Sequence, residues 1–244
     1  MPWNSLMERT MKEIHEQEKT IDDIVGALKR VPIHPRVVTA IKYAHALGCE
    51  LRIVSDANLF FIETILEHLG LRNYFSEINT NPGFMDEQGR LRISPYREQI
   101  RKSSHGCTLC PPNMCKGLII ERIQATIAKE VGNKKLIYLG DGAGDYCPSL
   151  KLTELDYVMP RMNFPVWELI SRNPILIKAE IHEWSDGEDL EHVLLQIVEG
   201  LLNRQIQLLC WQQQQLIASS RRLLLQQLHS LQGLSQYLSR EYRF

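Results

Sequence analysis

Two aspartates spaced four residues apart follow an apolar segment, and their carboxylates could bind a metal ion. The run from Leu136 to Leu139 is typical of a buried strand, and the turn from Gly140 onward contains both Asp141 and Asp145. A turn that follows a parallel strand lies at the sheet edge where α/β proteins bind ligands. Carboxylate oxygens are hard ligands that suit Mg²⁺. Because Asp and Gly also favour tight turns, the alternative is a turn that has no metal-binding role.

A second group of small polar residues follows another apolar segment. Ser55, Asp56, Ala57 and Asn58 come directly after Ile53-Val54. A hydroxyl group and the N–H groups of such a turn can hold phosphate oxygens. The alternative is a helix cap in which Ser55 or Asp56 accepts hydrogen bonds from the first helical turn.

Lys116 stands at the start of a predicted helix, after Cys115 and before Gly117. An ammonium group there could neutralise phosphate and orient a carboxylate. The alternative is a solvated surface charge.

Four cysteines have spacings that allow metal binding. Cys107, Cys110 and Cys115 are close in sequence, His105 is beside them, and Cys147 follows the acidic turn. This spacing can supply a tetrahedral zinc site. Only one Cys-x-x-Cys pair is present, so thiols that simply pack beneath the loop remain an alternative.

The elements that must position these residues alternate between strand and helix. Short apolar runs at 50–54, 74–78, 135–139 and 157–159 predict strands, and helical periodicity predicts helices at 36–47, 59–69 and 118–129. A hairpin is predicted between the turn at residues 81–83 and Ile93. Alternating strands and helices indicate a parallel sheet that is covered on both faces.

Taken in chain order, these motifs resemble motifs two, three and four of the haloacid dehalogenase superfamily. The resemblance is closer to the phosphoethanolamine/phosphocholine phosphatase branch, and closest to its plant members, which are described as hydrolases of small phosphate esters, thiamine phosphate or pyrophosphate. It rests on Ser55 to Asn58, on His105 to Cys107 with Cys110 to Lys116, and on Gly140 to Cys147, and it covers about residues 1–200. It implies a Rossmann-like α/β core that acts on a small phosphorylated metabolite with Mg²⁺.

The resemblance also implies roles for individual residues. Ser55, Lys116 and Asp145 are expected to be catalytic, with Ser55 bonding the phosphoryl group and Lys116 stabilising its charge. Substrate contacts are expected from Ser55, Asp56 and Asn58, with Asp56 close to the leaving group. Mg²⁺ is expected at Asp141, supported by Asp145.

One part of the superfamily pattern is missing. The first motif, a strand followed by Asp-x-Asp-x-Thr, supplies the nucleophile, and this sequence contains no such segment. The upstream pair Asp22-Asp23 falls in a helical stretch. Because the missing strand is central in this fold, we expect a sheet that lacks its central strand and a chain with little or no turnover. We expect an incomplete gene model or splice product rather than a refined pseudoenzyme.

The chain is expected to have three parts. Residues 1–34 predict a partial helical cap, residues 35–202 the core, and residues 203–244 a glutamine-rich tail that is helical or disordered. In the tail, apolar residues recur every seven positions, which favours weak self-association through one helix face. The face consists of Ile217, Leu224, Leu228, Leu231 and Leu238.

Composition narrows the classes of partner and location. The 244 residues are 44% hydrophobic and 23% charged with a formal net charge of −1, which gives no field that would gather nucleic acid. No apolar run reaches the ~18 residues of a membrane span. We expect a cytoplasmic protein that binds neither nucleic acid nor membrane. A rival hypothesis is a non-catalytic phosphate-binding or interaction protein that associates through its C-terminal helix.

Overall fold

The structure is a computed structural model that describes residues 3–96, 105–129 and 134–241, with side chains left out at residue 218 and at 223–241. The described chain divides into two compact units, Met1–Leu195 and Gln196–Phe244. The first unit contains all the strands of the described chain and all the residues that were expected to form a site.

Two amphipathic helices form the first part of the described chain. Helix α1 is Trp3–Glu16 and α2 is Ile21–Lys29, and Thr20 starts α2 with a capping box. Strands β3 (Gly83–Met85) and β4 (Leu91–Ile93) form the predicted antiparallel hairpin. Met11 of α1 packs with Leu91 and Ile93 in a small core, so the two helices cover one face of the hairpin.

The first parallel pair of strands follows helix α3 (Pro35–Ala46). Strand β1 is Leu51–Asn58, helix α4 is Leu59–His68, and strand β2 is Phe75–Asn81. β1 and β2 run parallel, as the βαβ pattern predicts. Both strands extend further than predicted, and Ser55 to Asn58 therefore belong to the end of β1.

A second parallel sheet has the order β5, β6, β7. Its strands are Ile137–Gly140, Tyr157–Pro160 and Glu180–Ile181, and helices α5 (Lys116–Ile127), α6 (Tyr146–Ser149) and α7 (Pro165–Arg172) accompany them. The main apolar core lies between these helices and the strands, and it includes Ile120, Val158 and Val166. Val54 of β1 packs against the same core.

The two parallel sheets are not joined by hydrogen bonds within the part of the chain that the structure describes. Within the described residues, β1 and β5 are each an edge strand of their own sheet. Two separate parallel sheets are expected where a haloacid dehalogenase-like core lacks its central strand.

Helix α8, Gly187–Glu241, runs through the C-terminal region. Asp186 starts it by accepting hydrogen bonds from the N–H groups of Glu188 and Asp189. The tail is therefore helical to Glu241. The side chains of four residues in the expected association face, at 224, 228, 231 and 238, lie outside the described part of the structure. Within the described residues, no helix has the length and apolar character needed to cross a bilayer.

Candidate active site

Lys116 lies where the carboxyl ends of the two separate sheets come together. Its Nζ atom is 2.8 Å from Oδ1 of Asp145, which follows β5, and 3.9 Å from Oδ2 of Asp56, near the end of β1. The side chains of Lys116 and Asp145 are only 11% and 8% exposed. Residues of all three sequence motifs thus meet at one place, around a cation at the start of α5.

Asp145 uses both oxygens of its carboxylate to fold the acidic turn. Oδ1 accepts hydrogen bonds from Lys116 Nζ and the Tyr138 hydroxyl, both at 2.8 Å. Oδ2 accepts from the backbone N–H groups of Asp141 at 3.1 Å and Gly142 at 2.9 Å. The carboxylate therefore holds the Lys116 ammonium and the turn that carries Asp141 in fixed positions.

The close fit around Asp145 depends on two neighbours from β5. A Cβ atom on Gly140 would lie 2.5 Å from the Asp145 Cβ, so the position admits only glycine. Burial, together with the negative charge of Asp145, holds the pKa of Tyr138 well above its ordinary value. The tyrosine hydroxyl therefore stays protonated and continues to donate to Asp145.

Asp56 has an oxygen without a partner. Its Oδ1 atom is buried and forms no hydrogen bond with the described residues, while Oδ2 faces Lys116. Burial raises the pKa of Asp56, the nearby Lys116 ammonium opposes that effect, and Asp145 adds to it. A buried carboxylate oxygen without a hydrogen-bond donor lowers the stability of the folded protein, and such atoms are concentrated at functional sites.

Ser55 and Asn58 have different surroundings. Ser55 is half-buried, and its Oγ accepts the Ala57 N–H at 3.2 Å. Asn58 is fully buried, and its Oδ1 accepts the Phe61 N–H at 3.0 Å, so it caps α4. The alternative in which Ser55 or Asp56 caps this helix is wrong, because β1 extends through both residues and delays the start of α4 to Leu59.

Two asparagines that the sequence analysis did not single out position the end of β1. The Asn81 amide donates to the backbone carbonyls of Asp56 at 2.7 Å and Ala57 at 2.8 Å. Its Oδ1 accepts from the Asn113 amide at 3.1 Å and from the Tyr96 N–H at 3.0 Å. Asn81 thereby connects the Asp56 segment to the loop that precedes Lys116. The only local signal was the turn at residues 81–83.

Asp141 offers the most accessible carboxylate of the group. It is exposed, and its side chain forms no hydrogen bond or ion pair within the described residues. Mg²⁺ needs near-octahedral oxygen ligands, keeps several waters and commonly takes one or two carboxylates from protein. The Asp141 carboxylate fits that requirement, whereas both oxygens of Asp145 are already occupied.

The four cysteines of the predicted metal-binding group come together in the structure. The Sγ atoms of Cys107, Cys110, Cys115 and Cys147 all lie within 4.8 Å of one another. Hydrogen bonds from the other thiols, from Cys110 above all, lower the pKa of Cys147 to about 5. The remaining two cysteines, Cys49 and Cys210, are free thiols elsewhere in the chain.

Parallel strands that bring a lysine and several carboxylates to one edge are typical of a haloacid dehalogenase-like phosphatase core. The family model described as Putative Phosphatase matches residues 1–198. No solved structure matches this chain. The chain belongs to this phosphatase family, within the haloacid dehalogenase-like branch that the motifs indicated.

Curated relatives cover most of the first 200 residues. The chain is 66% identical over 203 residues to "Inorganic pyrophosphatase 2" of Arabidopsis thaliana, covering 83% of this chain and 72% of that protein. It is 51% identical over 201 residues to "Thiamine phosphate phosphatase-like protein" of the same plant, covering 82% of each. Human "Phosphoethanolamine/phosphocholine phosphatase" is 29% identical over 205 residues, covering 81% and 74%.

Proposed function

We propose that the site around Lys116 binds the phosphoryl group of a small phosphate ester or of pyrophosphate. The observation that carries this proposal is the buried ammonium of Lys116 between Asp145 and Asp56. A desolvated cation at a helix N-terminus favours an anionic ligand. The names of the relatives indicate the same class of substrate.

Each residue has a distinct part in this proposal. Lys116 neutralises the phosphoryl charge, and the Ser55 hydroxyl donates a hydrogen bond to a phosphoryl oxygen. Asp56 lies toward the leaving group. Asp145 keeps Lys116 and the acidic turn in place, and the fully buried Asn58 supports the site by fixing the start of α4.

Mg²⁺ fits this site with Asp141 as its carboxylate ligand. The ion would neutralise phosphoryl oxygens and orient the ester. Asp145 would support the ion indirectly, since its hydrogen bonds to the N–H groups of Asp141 and Gly142 hold the turn.

We further propose that this 244-residue chain has little or no turnover. Covalent phosphoryl transfer in the superfamily it resembles begins with the first aspartate of Asp-x-Asp-x-Thr, and the sequence contains no such segment. Loss of a covalent nucleophile costs several orders of magnitude in rate. The division of the described parallel strands into two separate sheets supports the same conclusion, because a missing central strand would leave the core divided in this way.

Binding and hydrolysis are tested on the same purified chain. Calorimetry with inorganic phosphate and Mg²⁺ should detect binding that Lys116→Met abolishes and that the matched control Lys151→Met retains. Hydrolysis of pyrophosphate, phosphoethanolamine and p-nitrophenyl phosphate should not exceed that in buffer. Absence of phosphate binding would reject the site, and turnover that Ser55→Ala abolishes would reject the inactive state.

A protein extended at its N-terminus distinguishes two causes of inactivity, a missing nucleophile and a site that has lost its function. Adding an upstream strand that ends in Asp-x-Asp-x-Thr should create Mg²⁺-dependent activity against the same esters. In that protein Asp141→Asn should lose rate and metal dependence together. If the extended protein stays inactive toward a broad panel of phosphate esters, the retained motifs are relics.

We also propose a cellular location for the chain and an interaction for its C-terminal helix. All six cysteines are free, which suits a reducing compartment such as the cytoplasm. On α8 several large apolar side chains are exposed, including Leu208, Trp211 and Leu216. We propose that this helix pairs weakly with a second copy of itself, and that the partner of the site is a small phosphorylated metabolite rather than nucleic acid or membrane.

A further inference from the structure

The four clustered cysteines have the separation of ligands around one metal ion. Four sulfurs placed tetrahedrally at the Zn–S distance of about 2.3 Å are about 3.8 Å apart. The Sγ atom of Cys147 is 3.7 Å from that of Cys107 and 3.9 Å from that of Cys115, and all four atoms fall within 4.8 Å. A disulfide needs about 2.05 Å, so these thiols are arranged around a centre rather than paired.

Backbone N–H groups of α5 contact two of the four sulfurs. The Gly117 N–H hydrogen-bonds to Cys147, and the Leu118 N–H hydrogen-bonds to Cys115. A Cβ atom on Gly117 would lie 2.6 Å from the Cys147 sulfur, so only glycine lets α5 approach so closely. Such donors around ligating sulfurs orient and stabilise a metal centre.

His105 braces the loop and is not a ligand. Its Nδ1 accepts the Cys107 N–H at 3.1 Å, and its Nε2 donates to the Pro111 carbonyl at 2.9 Å. With both ring nitrogens engaged by the loop backbone, the donor set is four sulfurs. Soft thiolates in a tetrahedral arrangement select Zn²⁺, and a site closed by four protein ligands is structural.

We propose that Cys107, Cys110, Cys115 and Cys147 bind one Zn²⁺ ion, a second metal site separate from that for Mg²⁺. The thiols release their protons to solvent as the four Zn–S bonds form. An adjoining surface cavity of about 420 Å³, bordered by Cys107, Cys115 and Cys147, gives the ion a path of entry. The ion joins the loop before α5 to helix α6.

The proposed zinc ion would also affect the active site, because two of its ligands are close in sequence to Lys116 and Asp145. Cys115 directly precedes Lys116, and Cys147 lies two residues after Asp145. An ion that ties Cys115 to Cys147 therefore fixes the two backbone segments that carry the buried ion pair. The ion would also connect segments that are distant in sequence. Such a cross-link stabilises the folded state because it restricts the conformations of the unfolded chain.

Metal content of the full chain tests the proposal without any need for activity or phosphate binding. Protein produced in zinc-supplemented medium and passed over a chelating resin should carry one zinc per chain by elemental analysis. Cys107→Ser and Cys147→Ser should each lose most of it. The matched variants Cys49→Ser and Cys210→Ser should retain one zinc per chain, because those cysteines lie outside the cluster.

Cobalt provides a readout that does not depend on how a variant folds. Chain freed of zinc under reducing conditions and titrated with Co²⁺ should develop the sulfur-to-cobalt charge-transfer and visible bands of a tetrahedral four-thiolate site, with saturation at one equivalent and displacement by Zn²⁺. Six thiols that react freely in a metal-free native protein, with no cobalt spectrum, would overturn the proposal. Disulfides among the four cysteines in protein purified anaerobically would overturn it as well.

Discussion

The Lys116 ammonium donates a 2.8 Å hydrogen bond to the Asp145 carboxylate, and this ion pair joins the first turn of α5 to the turn after β5. Both side chains are largely buried, so the pair is protected from water and salt. The carboxylate also holds the N–H groups of Asp141 and Gly142. One buried pair thus organises the cation and the acidic turn of the proposed phosphoryl site.

Lys116→Met should destabilise the chain by about 2 kcal/mol, because it leaves the buried Asp145 carboxylate without its cation while three other hydrogen bonds remain. Urea unfolding measures the loss. Lys151→Met is the matched control: its ion pair with Glu121 is well exposed, and its loss should change the free energy of unfolding by less than ~0.5 kcal/mol. Equal effects of the two substitutions would contradict a structural role for the buried pair.

Asp145→Asn and Asp141→Asn should separate folding of the turn from metal binding. An amide at position 145 offers one accepting oxygen to donors on two sides, so at least one donor pair is left unsatisfied, at a cost of about 3 kcal/mol. Asp141 is exposed and forms no such bonds, so its substitution should leave stability unchanged and remove the Mg²⁺ dependence of phosphate binding. Urea unfolding and calorimetry distinguish the two. A loss of stability in Asp141→Asn would count against this division.

Elements with strong local signals could be predicted from the sequence. Apolar runs that end in polar turns identified β1 and β5, and the βαβ pattern led correctly to parallel pairing. The motifs after β1 and β5 meet because the carboxyl ends of parallel strands lie on one side of a sheet. Helix α7 and strand β7 were not predicted. Strand β7 has only two residues, and so short a strand has no recognisable periodicity.

Contacts between residues that are distant in sequence had no comparable signal. Asn81 resembled a turn residue, yet its side chain connects the Asp56 carbonyl to Asn113, 32 positions further along the chain. Tyr138 looked like one more apolar residue of a buried strand, although its hydroxyl donates to Asp145. The sequence spacing left Cys147 as an uncertain fourth member of the cysteine group, and only the fold shows that α6 carries it to the others.

Pairing through α8 predicts weak, concentration-dependent self-association of the full chain. Ile217→Glu combined with Leu224→Glu puts two charges into the stripe of residues repeated every seven positions and should reduce the dimer fraction. Sedimentation velocity over a range of concentrations measures it, and Gln215→Glu, on the opposite side of the helix from the stripe, is the matched control. If the unmodified chain is monomeric at every concentration, the tail does not pair with itself.

Asp56→Asn should make the chain more stable at neutral pH, because burial raises the pKa of the Asp56 carboxyl above its ordinary value of 3.8. Below pH 3.8 the carboxyl is protonated in both the folded and the unfolded chain, so it does not lower the free energy of unfolding. As the pH rises from 3.8 through the higher folded-state pKa, the unfolded chain loses its proton first, so stability is lost across that window and stays lost at neutral pH. An amide cannot ionise and avoids this loss.

The matched comparison for Asp56→Asn is Glu87→Gln, an exposed acid in the β3–β4 turn. Urea unfolding at pH 7 and at pH 3.5 should show a gain in stability for Asp56→Asn at pH 7 that shrinks at pH 3.5, and little change for Glu87→Gln at either pH. Phosphate binding should change in Asp56→Asn even as stability rises, since a residue kept at a cost to folding is expected to serve the ligand. A variant less stable than the unmodified chain at pH 7 would contradict this prediction and would mean that Asp56 contributes to folding through its interaction with Lys116.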